Sequence, residues 1–169
     1  LQSLNYDRLV AVNVDPIEKK PLFHFLPGTK SLSIAAAGCN FQCEFCQNWQ
    51  ISQVKPEDVR SYDLFPDQVV QTALAKKAES IAYTYSEPVT YFEYMMDTAR
   101  LAKQKGIANL WISNGYINPE PLSALCGVID AANVNLKSFD NETYQKLNGG
   151  RLNPVLNTFK TLHEQNIHL

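Results

Sequence analysis

The fold of this chain is constrained most by an alternation of short apolar runs with helix-patterned segments, recurring at roughly the 30 residues of a strand–helix–strand unit. Strands are expected at 31–37, 80–85, 107–113 and 134–138, with a fifth starting at 167. Apolar residues at helical spacing mark helices at 65–75, 88–105, 119–129, 141–147 and 153–165, four of them with a proline in the first two positions. The order is βαβαβαβα with short connections, which implies an α/β fold with a parallel sheet. A complete eight-unit barrel takes about 250 residues, so 169 residues can form at most a partial TIM-like (βα) barrel. The chain begins with Leu1 and stops where a strand would start. It therefore reads as a single domain, 1–169, cut from a longer protein and lacking the last strands of the barrel.

Composition narrows what such a domain binds. Fifteen Lys and Arg stand against 17 Asp and Glu, and no basic run offers the footprint of a nucleic-acid binder. No apolar run approaches the roughly 20 residues needed to cross a bilayer, and the first residues lack the order of a signal peptide. A reducing, cytoplasmic setting with small-molecule or protein substrates is expected.

Three of the four cysteines fall within eight residues, Cys39-Asn-Phe-Gln-Cys43-Glu-Phe-Cys46, and polar side chains interleave them. In a reducing compartment this spacing indicates metal binding. Structural zinc and ordinary iron–sulfur sites recruit four ligands, so three on one loop imply a centre with an open position. A zinc module completed by His24 is the alternative. Against it, His24 stands among Leu22, Phe23, Phe25 and Leu26, where a histidine is more often a packed side chain.

The loop hangs from the end of the strand at 31–37, and in parallel α/β folds ligands gather at the C-terminal ends of strands. Ser86-Glu87, Ser113-Asn114-Gly115 and Lys137-Ser138 also follow strands, so all should face one rim. Each has a structural reading as well. Glu87 could cap the helix beginning at Pro88, Asn114-Gly115 is a common turn pair, and a lysine at a strand end is usually solvated. Cys126 falls in a stripe with Leu122, Leu125 and Ile129 and reads as core, as do Tyr91, Tyr94, Met95 and Met96. Tyr83 and Tyr85 could line the pocket, and Trp49 could shield it.

Cys-x3-Cys-x2-Cys with Phe45 before the last cysteine resembles the signature of radical S-adenosylmethionine enzymes. The surrounding segments 22–28, 38–49, 83–88, 113–116 and 135–137 resemble the branch related to pyruvate formate-lyase activating enzymes, in particular the radical-SAM component of the AmmeMemoRadiSam system. The resemblance implies a [4Fe–4S] cluster on Cys39, Cys43 and Cys46, whose open iron is chelated by S-adenosylmethionine. It further implies cofactor contacts from Phe45, Ser86, Glu87, Ser113, Asn114 and Lys137. The implied activity is reductive cleavage of S-adenosylmethionine to methionine and a 5′-deoxyadenosyl radical that abstracts hydrogen from a protein or small molecule, with activation of a glycyl-radical enzyme as one candidate role. An electron donor such as flavodoxin or ferredoxin is the implied partner. Asn135 and Ile112 stand where relatives that activate glycyl-radical enzymes carry carboxylates. Their absence removes the oxygen ligands that a monovalent cation beside the cofactor would prefer.

Overall fold

The computed structural model describes residues 5–169. Four parallel strands form its spine: β2 (Lys30–Ala36), β4 (Ser80–Tyr83), β5 (Ala108–Ser113) and β6 (Ala131–Val134), paired in that order. Helices α2 (Pro66–Ala75), α3 (Phe92–Gln104) and α4 (Pro119–Cys126) connect them, and α5 (Asn141–Asn148) and α6 (Leu152–Glu164) follow β6. A short α1 (Trp49–Ser52) follows the cysteine loop. The strand–helix alternation expected from the sequence is present, and the sheet does not close into a barrel among the described residues.

Three departures from the sequence expectation matter. First, residues before 31 also form sheet: β1 (Arg8–Pro16) pairs antiparallel with β2, and β3 (Tyr62–Asp63) pairs antiparallel with β1. Second, the strand expected at 134–138 ends at Val134. Its paired residues include Ala131 and Ala132, both fully buried, whose low β-propensity hides them from pattern reading. Leu136 beyond it is exposed. Third, the segment from 167 contributes a single parallel bridge, Ala131 to His168, rather than a strand.

Alternation along the strands sorts side chains to two faces. Leu32, Ile34, Ile81, Tyr83, Trp111 and Ala132 face the helices and meet Val69, Tyr94, Met95, Ala99 and Leu125 in the main core. Cys126 is half-buried against this core, as its stripe predicts. Asn109 ties the layer together: it accepts from the Tyr83 hydroxyl at 3.0 Å and donates to the carbonyls of Ala99 and Val128 at 3.0 and 3.1 Å. On the concave inner face, Ala82, Leu110 and Ala131 are covered by Ile17 and Leu22, which belong to the segment joining β1 to β2. That segment forms the base of a cavity whose rim carries the cysteine loop.

Candidate cofactor site

The cysteine loop begins at Gly38, whose φ of +100° is a conformation that side chains with a Cβ rarely adopt. Its N–H donates to the Ile51 carbonyl at 2.8 Å, so the chain leaves β2 and returns against α1. Phe41, between the first two cysteines, is 1% exposed and packs on Tyr116 and Tyr144 with ring centroids 5.1 and 6.1 Å away. Backbone N–H groups of Gln42 and Glu44 donate to the carbonyls of Asn148 and Leu147 at 3.0 and 3.2 Å. The loop is thus stitched to the end of α5 rather than hanging free.

Cys39, Cys43 and Cys46 all line one cavity of about 490 Å³, within the range of small-molecule and cofactor sites. Phe45, Ser86, Glu87, Ser113, Asn114 and Lys137 line the same cavity. His24 does not: it is exposed, with φ +66°, on the segment before β2. Trp49 is also absent from the wall and is 59% exposed, so it neither shields the cavity nor packs in the core. Tyr83 lies in the core on the helix side.

The thiols suit a cationic cluster as partner. Burial pushes the Cys39 thiol up to about 12 and also raises Cys43, so neither ionises near neutrality without a neighbouring positive centre. Hydrogen-bond donors already point at sulfur. The Phe41 N–H reaches Cys39 Sγ at 3.3 Å, the Asn114 amide reaches it at 3.8 Å, and the Ser52 hydroxyl lies 3.1 Å from Cys46 Sγ. Such contacts tune metal-bound sulfur. Among the described residues no other cysteine and no histidine lines the cavity, so the donor set is three thiols and an open side. The chemistry of this donor set is that of a three-cysteine iron–sulfur site, while among the described residues no three cysteine, histidine or acidic side chains are gathered closely enough to hold a single metal ion.

Glu87 connects the cysteine side to the turn after β5. It is 3% exposed; one carboxylate oxygen accepts from the Ser113 hydroxyl at 2.7 Å and the other from the Asn114 N–H at 2.8 Å. The first also accepts from the Val89 N–H at 3.2 Å, capping the 3₁₀ turn Pro88–Tyr91 that leads into α3. The cap reading of Glu87 from sequence is therefore met, and the same side chain also lines the cavity. Burial raises its carboxyl to about 7, and these donors only partly offset that. Asn114 in turn donates to Asn40 at 2.7 Å, and Asn40 donates to the Tyr116 carbonyl at 2.9 Å. Ser86 donates its hydroxyl to the Ala36 carbonyl at 2.6 Å, fixing the β4 exit against β2.

Lys137 lies three residues beyond the end of β6, half-buried, and its charge lowers the Cys43 thiol against the upward push of burial. Glu87 is the one carboxylate on the cavity wall among the described residues; Ile112 and Asn135 occupy the positions that the sequence flagged as lacking acids.

Sequence reasoning missed Asp15, Lys20, Asn40 and Ser52. Of these, Asn40 and Ser52 lie close enough to the cysteines to have been suspected, whereas Asp15 and Lys20 carry no motif. Tyr85 was foreseen as a lining residue, but not how it gets there. Strand alternation would send it to the helix side with Tyr83, and a φ of +67° turns it inward. A left-handed tyrosine costs about 1–2 kcal/mol.

The structure thus sets a three-thiol loop and a polar rim at the ends of the parallel strands of a partial (βα) barrel. The sequence profile of the Radical SAM superfamily matches residues 33–169, and the chain belongs to that superfamily. It is 43% identical over 160 residues to "Uncharacterized protein MJ0808" and 29% identical over 144 residues to "Uncharacterized protein MJ0674", both of Methanocaldococcus jannaschii. The matches cover 95% and 81% of this chain but 47% and 40% of those proteins, so the chain spans under half the length of these relatives. Among solved structures, TYW1 with a lysine–pyruvate adduct bound has a TM-score of 0.58 at 20% identity, covering 90% of this chain and 62% of that one. Streptococcus suis SuiB bound to S-adenosylmethionine has a TM-score of 0.60 at 17% identity, covering 89% and 33%. These likenesses show the shared fold.

Proposed function

We propose that this chain is the cofactor-binding core of a radical S-adenosylmethionine enzyme, with Cys39, Cys43 and Cys46 holding a [4Fe–4S] cluster. The observation that carries the reading is the convergence of three cysteine thiols and a buried, hydrogen-bonded acid on one cavity. When bound, the cluster supplies an electron and S-adenosylmethionine supplies the 5′-deoxyadenosyl radical that abstracts hydrogen from a substrate. The ligand seen in SuiB is carried to this cavity as part of the proposal.

The chain's own residues would orient and shield. Glu87 and the Ser86 backbone would receive the ammonium of the methionyl group, and Lys137 its carboxylate. Ser113 and Asn114 would approach the ribose, with Phe45 beside the cluster. Asn114 holds Asn40 and the Cys39 sulfur at once, so cofactor and cluster positions would be set by one side chain. Of the possible subtypes, a protein- or small-molecule-modifying enzyme is favoured over an activase of pyruvate formate-lyase itself. Ile112 and Asn135 line the wall where acids would support a cation. The resemblance to the AmmeMemoRadiSam component belongs to the same reading. Flavodoxin or ferredoxin would deliver the electron, in the cytoplasm; no helix among the described residues is long and apolar enough to cross a membrane.

Anaerobic reconstitution with iron and sulfide should give a chromophore near about 400 nm and, after reduction, 5′-deoxyadenosine from S-adenosylmethionine. Replacing any one of the three cysteines with alanine should abolish both. Stoichiometric zinc without iron in anaerobically purified protein would overturn the reading.

A further inference from the structure

The cavity floor carries a second polar cluster that the proposed cofactor contacts do not use. Lys20 follows the 3₁₀ turn Ile17–Lys19 and is 2% exposed, yet it lines the cavity. Its ammonium donates to Asp15 at 2.9 Å and lies 4.7 Å from the centre of the Tyr85 ring. Asp15 is 6% exposed on β1; it also accepts from the Tyr85 hydroxyl and, at 3.2 Å, from Lys19. An ammonium has three N–H groups, and among the described residues one acceptor serves it.

Two independent features indicate that this corner is more than a closing ion pair. Apolar side chains would seal the base of a barrel at less cost than a buried ammonium, since its desolvation is expensive. Tyr85, moreover, accepts a left-handed backbone to reach Asp15, and the Asn48 amide holds its carbonyl at 2.9 Å. Strain of this kind persists where surrounding structure enforces it, and it concentrates at ligand sites. The charge balance sets the ligand's sign. Lys19 and Lys20 against Asp15 leave this corner with one positive charge, while the Glu87 carboxylate is already engaged by donors after β4 and β5.

We propose that the Lys20 ammonium, steadied by Asp15 and Tyr85, binds an anionic oxygen group of the substrate, so that the substrate class is one bearing a carboxylate or a phosphate. The inference rests on the cavity being the reaction site read above. It assigns Lys20 to the substrate and leaves Lys137 to the cofactor.

The test uses anaerobically reconstituted protein with S-adenosylmethionine bound, labelled with ¹⁵N-lysine. The Lys20 ammonium resonance is assigned through its contact with the Tyr85 ring, so the measurement does not depend on a variant folding. Sodium phosphate and sodium acetate are titrated against sodium chloride at matched ionic strength. Expected is a saturable shift, half-complete at an anion concentration on the order of millimolar, in phosphate or in acetate and absent in chloride. The responding anion tells which source the substrate carries. Lys19→Met should leave the shift in place, and a folded Lys20→Met should weaken anion binding about tenfold or more with S-adenosylmethionine affinity unchanged. A resonance that ignores both anions, or moves equally in chloride, overturns the proposal. So does a Lys20→Met variant that loses S-adenosylmethionine instead. Absence of iron or of S-adenosylmethionine binding before the titration would count against the proposed function, and is read separately.

Discussion

Gly150 lies between α5 and α6, far along the chain from the cysteines, yet a single methyl group there should disturb the site. A Cβ at this position would sit 2.4 and 2.7 Å from Cε1 and Cζ of Phe41. Ordinary carbon contacts begin near 3.5 Å, so the ring must move by roughly 1 Å. It has little room, being 1% exposed and boxed by Tyr116 and Tyr144. Overpacking of this kind costs about 1–3 kcal/mol, and because Cys39 and Cys43 flank Phe41 the displacement is passed to two thiols. Gly149→Ala is the control. Its φ of +75° makes alanine cost about 1–2 kcal/mol, but nothing lies within 4 Å to be pushed. Anaerobic urea unfolding of the reduced, cofactor-free chain should find both variants destabilised. Iron bound per chain after reconstitution should fall in Gly150→Ala and not in Gly149→Ala. Adding Phe41→Leu to Gly150→Ala should restore part of the iron. If Gly150→Ala unfolds like the parent and binds iron fully, Phe41 does not couple α5 and α6 to the cysteine loop.

Three further outcomes are expected. Glu87 titrates at about 7 in the folded chain against an ordinary value of 4.5, so the free energy it contributes is fully present below about pH 4.5 and is lost as pH rises to about 7. The loss is on the order of 3 kcal/mol; Glu87→Gln should flatten that part of the stability–pH curve, and S-adenosylmethionine affinity in the parent should rise with pH through the same window as the acid ionises to meet an ammonium. Asn109→Ala leaves the Tyr83 hydroxyl without its acceptor and takes the amide away from the carbonyls of Ala99, which keeps its helical bond, and Val128, and should cost about 2 kcal/mol or more in urea unfolding; a loss under about 1 kcal/mol would contradict the hydrogen-bond role given to it. Ser52→Ala removes the hydroxyl beside Cys46, so the cluster's reduction potential measured by electrochemistry should become more negative while iron content holds.

What could be read from sequence was what is local. The spacing of Cys39, Cys43 and Cys46 could be read as a ligand-like pattern, because three thiols so close in sequence reach one loop in any fold, and the structure brings all three to one cavity. The alternation of strand and helix periods announced the parallel sheet, and with it the rule that puts Ser86, Glu87, Ser113 and Asn114 on one rim; the structure brings all of them to one cavity. Tertiary structure decided the rest. Ala131 and Ala132 become strand because β5 offers a partner, and no propensity marks them. Asp15 meets Tyr85 across 70 residues of sequence, and Asn114 meets Cys39 across 75. Neither pairing leaves a periodic trace, since the residues belong to different strands or loops and meet only after the sheet has formed. Tyr85 makes the same point within one residue: alternation directs it outward, and the cavity is partly walled by it because a left-handed turn, held by Asn48 and Asp15, directs it inward.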